Sequence, residues 1–425
     1  MKILKYGSRG PSVQLLQLAL NRWGADVLSL DGIFGSATQA AVRQFQSRSG
    51  LAADGVVGPL TNTALTPWYT GYFSHKIHRG DTLYWLAQMY GTTLEAIRIA
   101  NPDLDAANLK IGSTVTVPLP FDVVPTNIAY SAQLTEYCVR GIAARYPIAK
   151  SGSMGRSVMG KPLLFMSGGS GANRVFYNAA HHANEWITTP LLLKFFETLV
   201  KTASYGGSIF GQDANALLRR STIYIAPMVN PDGVDLVTGE LREGEYYAGA
   251  RRIAANYPQF SFPEGWKANV RGVDLNLQYP AGWEQARENK FAQGITSPAP
   301  ADFVGTAPLT APESRAVYDF TQSISPALVL AYHTQGQVRY WKYLDYEPIN
   351  SREIAETFSA LSGYAYEDTP YASGFAGFKD WFIQDYNRPG YTVEAGLGIN
   401  PLPLSDFDRI YADNLGILIY GMLVT

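Results

Sequence analysis

The spacing of apolar residues changes along the chain, and the changes divide it into three sections. In "SVQLLQLALNRWG", Val13, Leu15, Leu16, Leu18 and Leu20 recur at helical spacing. "SATQAAVRQFQSRSG" repeats the pattern, with Ser36 expected as N-cap and Gly50 as the stop. "GPLTNTAL" predicts a third, short helix with proline just inside its first turn. Between the helices lie "LSLDGIFG" and "LAADGVVG", whose Asp31 and Asp54 read as turn residues, because Asp-Gly supplies turn geometry by itself. A small three-helix module over residues 1–69 follows.

Residues 73–120 read strand, helix, helix, strand. "PLPFDVVPTN", rich in proline, then reads as a linker. From about residue 124 to 425 the pattern alternates. "RVFYNAA", "STIYIAPMVN", "ALVLAYHT" and "GYTVEAG" are short β-rich apolar runs, with helical stretches such as "PLLLKFFETLV" and "ESRAVYDFTQSI" between them. That alternation predicts an α/β domain with a buried, mostly parallel sheet and helices on both faces. Sites in such sheets gather at strand ends, where His182, Asn230, His333 and Glu394 fall.

Composition narrows the function. A chain of 425 residues exceeds one ordinary core. A formal net charge of −2 gives no basis for electrostatic binding to nucleic acid or anionic lipid. The single cysteine, Cys138, excludes an internal disulfide and a cysteine-rich zinc site, and reads as a small buried side chain. No apolar run approaches the roughly 20 residues of a membrane helix, so no membrane insertion is expected. "MKILKYGSRGPSVQLL" lacks a signal-peptide core, so a soluble protein outside the usual export route is expected.

The chain has five histidines, and two are adjacent in "AAHHANEWITT". His182 and Glu185 are three residues apart, close enough to reach one ion from a single turn. Hydrolytic zinc sites combine three protein ligands with one open position, and His-His-Glu is a standard set. A third ligand must come from elsewhere. Outside the N-terminal modules only His181 and His333 remain, and His333 ends an apolar strand. A polar loop with a helix cap is the competing reading, since His-x-x-Glu alone is a weak signal.

Longer motifs add resemblances. "GSRGPSVQLLQLALNRWG", "DGIFGSATQAAVRQFQ" and "DGVVGPLTNTAL" resemble the peptidoglycan-binding domain of bacterial wall hydrolases. "RGDTL", "YGTTLEAIRIAN" and "LKIGSTVTVP" resemble a LysM module, which implies binding of N-acetylglucosamine-containing glycan. His75 and His78 fall in this module and are read as surface or strand residues rather than ligands.

The third section resembles the zinc carboxypeptidase family through "AAHHANEWITTPLL", "APMVNPDGVDLV", "WKANVRGVDLN", "VLAYHTQGQ" and "YASGFAGFKDW…YTVEAG". The resemblance implies one zinc ion per chain on His182, Glu185 and His333, with Glu394 as general base. It places Lys267 where the family has an arginine facing the oxyanion, with Arg271 as the runner-up. Tyr371 aligns with a mobile tyrosine over the substrate. His181 is expected to support the ligands or to lie exposed.

Family exopeptidases hold the substrate carboxylate with an asparagine and an arginine. Here Asn276 is retained, but Leu277 stands in the arginine's place, so ordinary carboxypeptidase action is in doubt. Val273 to Glu284 resembles a narrower branch, the γ-D-glutamyl-L-diamino acid endopeptidases. That resemblance implies cleavage of wall stem peptides between γ-D-glutamate and meso-diaminopimelate. Lys379 falls at the family's side-chain specificity position, as a partner for a substrate carboxylate or as a solvated loop lysine. The implied partners are peptidoglycan glycan and stem peptides. The implied location is the cell wall or a spore, with cytoplasmic recycling as the alternative. A true carboxypeptidase and a non-catalytic wall-binding protein are the competing functions.

Overall fold

The computed structural model describes residues 2–24 and 28–424. Among them, the first module holds three helices, α1 (Pro11–Trp23), α2 (Ser36–Arg48) and α3 (Pro59–Thr70). Pro11 and Pro59 each open a helix where a missing N–H costs nothing. Ser36 is the first helical residue rather than the N-cap; Gly35 takes the cap position and Ser49 ends the helix. The third helix runs past Leu65 to Thr70, with Pro67 inside it.

The two Asp-Gly turns are built alike. Gln17 Nε2 donates to Asp31 Oδ1 at 2.8 Å and to Thr38 Oγ1 at 3.3 Å, and its Oε1 accepts from the Gly32 amide. Gln46 repeats the scheme with Asp54 Oδ1 at 2.8 Å, Thr61 Oγ1 at 3.0 Å and the Gly55 amide. Each aspartate also accepts from the amide two residues on, Ile33 or Val56. These bonds hold both carboxyls below their usual range, chiefly Gln17 for Asp31 and the Val56 amide for Asp54. Asp31 and Asp54 are therefore turn residues with a helix-borne glutamine clamp.

In the second module, β1 (Tyr72–Lys76) pairs antiparallel with β2 (Thr114–Pro118), and α4 (Leu83–Tyr90) and α5 (Leu94–Ala100) lie between them in sequence. Thr82 caps α4 by accepting from the Trp85 amide, and Thr93 caps α5 by accepting from Ala96. The module's core gathers Ile77, Leu83, Leu86, Ile97, Val115 and Val117.

The chain divides into two units, Met1–Ala129 with Glu136–Lys150, and Tyr130–Thr135 with Ser151–Thr425. The later unit is organised on a sheet of eight strands among the described residues. In chain order they are β3 (Ala149–Arg156), β4 (Pro162–Gly168), β5 (Asn173–Ala179), β8 (Ser221–Ala226), β9 (Leu328–His333), β10 (Val338–Tyr340), β11 (Ala365–Glu367) and β12 (Gly390–Glu394). A two-residue hairpin, β6 (Ser208–Ile209) with β7 (Gln212–Asp213), stands apart. The spatial order is β11-β10-β12-β9-β5-β8-β4-β3. β12, β9, β5 and β8 run parallel to their neighbours within that central group, flanked by antiparallel β10 and β4.

Alternation along the central strands explains helices on both faces. Phe176 and Val329 face a cluster with Phe378, Trp381 and Phe382. The next residue, Tyr177, points to the other side, where its hydroxyl donates to the Leu418 carbonyl in helix Phe407–Leu423. The result is the α/β architecture with a mixed, mostly parallel sheet that the alternating pattern predicts. No helix among the described residues is long and apolar enough to cross a membrane.

Candidate metal centre and active-site cleft

The carboxyl ends of β5, β9 and β12 meet in register. Ala179 lies beside Tyr332, and His333 beside Glu394. After β5 the chain turns sharply, with Ala180 at φ 52°. The Ala180 amide donates to Thr188 Oγ1, and that hydroxyl donates to the Glu185 carbonyl. Asn230, capping helix Pro231–Val237, ties this turn to a distant loop. Its side-chain amide donates to the His181, Lys267 and Ala268 carbonyls, and its Oδ1 accepts from Gly233. A Cβ on Gly233 would fall 2.7 Å from the Asn230 side chain and 2.8 Å from Ala183 Cβ, so only glycine fits this close approach.

These turns bring three side chains to one point. His182 Nδ1 lies 2.9 Å from Glu185 Oε1, and His333 Nδ1 lies 2.9 Å from Glu185 Oε2. The two Nδ1 atoms are 3.2 Å apart. Tetrahedral zinc with ligand bonds of about 2.0–2.1 Å spaces its donor atoms about 3.3 Å apart. Two imidazole nitrogens turned toward each other and toward one carboxylate make a poor hydrogen-bond set but a good ligand set. His182, Glu185 and His333 could therefore hold a metal ion.

The surroundings are polarised to match. Burial opposes charge on His182, but Glu185 and Asp274 outweigh it and raise its pKa to about 10. Burial likewise opposes ionisation of Glu185, yet His182, Lys267 and His333 hold its carboxyl well below the usual range. Lys267 Nζ sits 3.5 Å from Glu185 Oε1. Desolvation works against that ammonium, while Glu185, Asp274 and Glu394 keep its pKa above the ordinary value. Burial raises Glu394 to about 6; the charge on Glu185 adds to this, and His333 and Lys267 oppose it.

Asp274, inside the GVDLN segment, is a site residue that neither periodicity nor motif spacing marks. Its Oδ1 lies 3.1 Å from His182 Nε2 and accepts from the Asn276 amide; Oδ2 accepts from Asp302. A carboxylate behind a ligand histidine fixes the ring orientation and raises its basicity. His181 is fully buried, not exposed, with Nε2 2.9 Å from the Tyr279 hydroxyl and its ring stacked on His333. Burial pushes its pKa well below the usual range, so it is a neutral support.

A cleft of about 410 Å³ opens beside the cluster, and its walls include Lys267, Asp274, Asn276, Leu277, Lys379 and Glu394. Asn276 Oδ1 accepts from the Phe378 amide. Lys379 is not a solvated loop lysine. It is 3% exposed, with Nζ 2.6 Å from Asp380 Oδ1, donating to the Lys342 carbonyl at 2.7 Å and to Thr369 Oγ1 at 3.0 Å. Tyr371 is exposed on a short turn, its ring edge-on to Phe375, and its neighbours Thr369 and Ser373 line the cleft. Arg271 is a correction. It lies exposed in a separate depression with Glu245, Tyr246 and Arg252, because the chain turns away at Asn269–Gly272.

An α/β sheet with a His-Glu-His cluster and a half-buried glutamate at its parallel strand ends defines a metallohydrolase-type protein. The sequence pattern of the Zinc carboxypeptidase family matches residues 135–415, and the chain belongs to that family. A peptidoglycan-binding domain pattern matches residues 9–65 and a LysM domain pattern residues 75–118. The chain is 43% identical over 296 residues to gamma-D-glutamyl-L-diamino acid endopeptidase 1 of Lysinibacillus sphaericus, covering 70% of this chain and 72% of that protein. Among solved structures, the fold is similar to bovine thrombin-activatable fibrinolysis inhibitor in complex with tick carboxypeptidase inhibitor. That likeness has a TM-score of 0.54 and 19% identity, over 70% of this chain and 97% of that one. Carboxypeptidase A from Helicoverpa armigera gives a TM-score of 0.53 and 16% identity, over 83% and 97%. These two likenesses concern the fold alone.

Proposed function

We propose that the chain is a zinc-dependent endopeptidase of bacterial wall stem peptides, cutting between γ-D-glutamate and meso-diaminopimelate. The observation that carries this reading is the wall of the cleft. Leucine, not arginine, stands beside Asn276, and no arginine is among the described residues that line it. Of the three lysines that line it, Lys379 and Lys290 are paired with Asp380 and Asp302, and Lys267 faces Glu185. A bidentate clamp on a substrate's terminal carboxylate is therefore missing, which disfavours ordinary carboxypeptidase action. The relative from Lysinibacillus sphaericus carries the endopeptidase name and supports the same substrate.

His182, Glu185 and His333 would hold one zinc ion, which when bound would supply a Lewis acid and an acidified water. Asp274 keeps the His182 ring aimed. Glu394, at the end of β12, takes the proton of the attacking water and delivers it to the leaving amine. Lys267 faces the developing oxyanion with a single charge rather than a planar fork. Tyr371 closes over the bound peptide, Asn276 orients its polar groups, and Lys379 meets a substrate carboxylate by giving up its contacts to the Lys342 carbonyl and Thr369. Residues 1–69 and 73–120 act as wall tethers that raise the effective concentration of substrate for residues 124–425. The enzyme accordingly works in contact with the wall.

The test uses purified protein with L-Ala-γ-D-Glu-meso-diaminopimelate, with and without a terminal D-Ala, and products read by mass spectrometry. Release of L-Ala-D-Glu from both peptides, abolished by a chelator, is the expected result. Removal of the last residue alone would make the enzyme a carboxypeptidase. No cleavage by zinc-loaded protein would leave a wall-binding protein.

A further inference from the structure

The LysM module carries a second cluster with the same donor types. His75 Nε2 lies 2.9 Å from Asp81 Oδ2, and His78 Nδ1 lies 3.7 Å from the same oxygen. All three donor atoms fall within 4.8 Å of one another. The two distances bracket the roughly 3.3 Å spacing that tetrahedral zinc gives its ligands. We propose that His75, His78 and Asp81 form a second metal site, which takes a zinc-class divalent ion independently of the peptidase centre.

Three features support a built site rather than a chance encounter. First, His75 is mounted in β1, in register with Val115 of β2, so its backbone is fixed. Its other ring nitrogen, Nδ1, lies 2.9 Å from the Tyr90 hydroxyl, an outer partner that aims Nε2 at Asp81. Second, Asp81 is held by the turn it closes: its amide donates to the His78 carbonyl, and its Oδ2 accepts from the His78 amide. The next residue, Thr82, caps α4, so the carboxylate sits on a rigid corner. Third, the H-x-x-H-x-x-D spacing sets His78 on the turn, where 71% of its side chain is exposed. The His78 ring stands edge-on to His75, which leaves its Nδ1 turned toward the same Asp81 oxygen.

The donor set of two imidazoles and one carboxylate suits zinc and its neighbours rather than calcium or magnesium, which favour oxygen. An ion there would join β1 to the turn before α4. Because His78 faces solvent, the ion would exchange more readily than one at the largely buried His182–Glu185–His333 cluster.

The test counts zinc per chain in the full-length protein after dialysis against buffered micromolar free zinc. Wild type should hold two ions, His78→Ala one, His182→Ala one, and the double variant none. His78→Ala should keep stem-peptide hydrolysis within about twofold of wild type, because the residue is remote in sequence and exposed. Equal zinc in wild type and His78→Ala would overturn the proposal. A single ion in wild type that His78→Ala removes and His182→Ala retains would support it while sinking the catalytic zinc. With cobalt in place of zinc, paramagnetic shifts of the His78 ring protons are expected in the His182→Ala chain. Unshifted His78 protons in cobalt-loaded protein would count equally against the site.

Discussion

His333 and Glu394 stand directly opposite each other on the adjacent parallel strands β9 and β12. A metal-ligand candidate and a general-base candidate are thus positioned by backbone register, on rigid elements rather than on loops. Val338 of β10 pairs with Glu394 from the other side, so the glutamate's strand is held on both edges.

Replacing Glu394 by Gln should lower kcat by about 10²–10⁴-fold, the range for loss of a general base. Bound zinc should stay unchanged, because Glu394 is outside the ligand cluster. The base works only when ionised, and burial raises its pKa to about 6. Activity should therefore fall as pH drops through that region, with the acid limb at or below about pH 6, since a cation on the neighbouring histidines would pull it lower. Rate profiles of kcat/KM, with metal analysis of both proteins, check this.

Asp274→Ala should weaken zinc affinity by about 10–100-fold, the usual cost of losing the carboxylate behind a ligand histidine. Asp274→Asn should recover part of the loss, because its amide oxygen can still accept from His182 Nε2. Competition with a chromophoric chelator gives both affinities. Equal affinities for wild type and Asp274→Ala would refute the positioning role.

Leu277→Arg should introduce the missing partner for a substrate carboxylate. The expected change is a shift in kcat/KM toward peptides whose residue after the scissile bond ends in a free carboxylate, relative to those extended by D-Ala. The preference should move by at least tenfold if a bidentate pair forms. Competition between the two peptides in one reaction, read by mass spectrometry, measures it.

Lys379→Ala removes an ammonium held among Asp380, Thr369 and the Lys342 carbonyl. Discrimination between diaminopimelate- and lysine-containing peptides should fall, mainly through KM for the diaminopimelate substrate. The variant also leaves the Asp380 carboxylate buried without its cation, so a lower melting temperature is expected. An unchanged substrate preference would reduce Lys379 to that structural task.

Much of this molecule is legible in its sequence, because local chemistry sets it. Helical spacing of Val13, Leu16 and Leu20 and the Asp-Gly turns determine the first module. The short apolar runs mark the central strands, and their alternation with helices marks a mostly parallel sheet. The His182–Glu185 pair is local too, since three residues on one turn suffice to bring it together. The tertiary structure alone decided what depends on distant segments meeting. His333 joins that pair across 148 residues. Asp274 reaches His182 through a loop whose direction no periodicity records. Lys379 gains its buried partner environment from Lys342 and Thr369. Arg271 leaves the cleft because one turn sends it away. Even the His75–His78–Asp81 cluster, close in sequence, needed the Tyr90 ring and the register of β1 to show where its nitrogens point. Local spacing fixes which groups are available, while side-chain direction and burial arise only when separate elements pack.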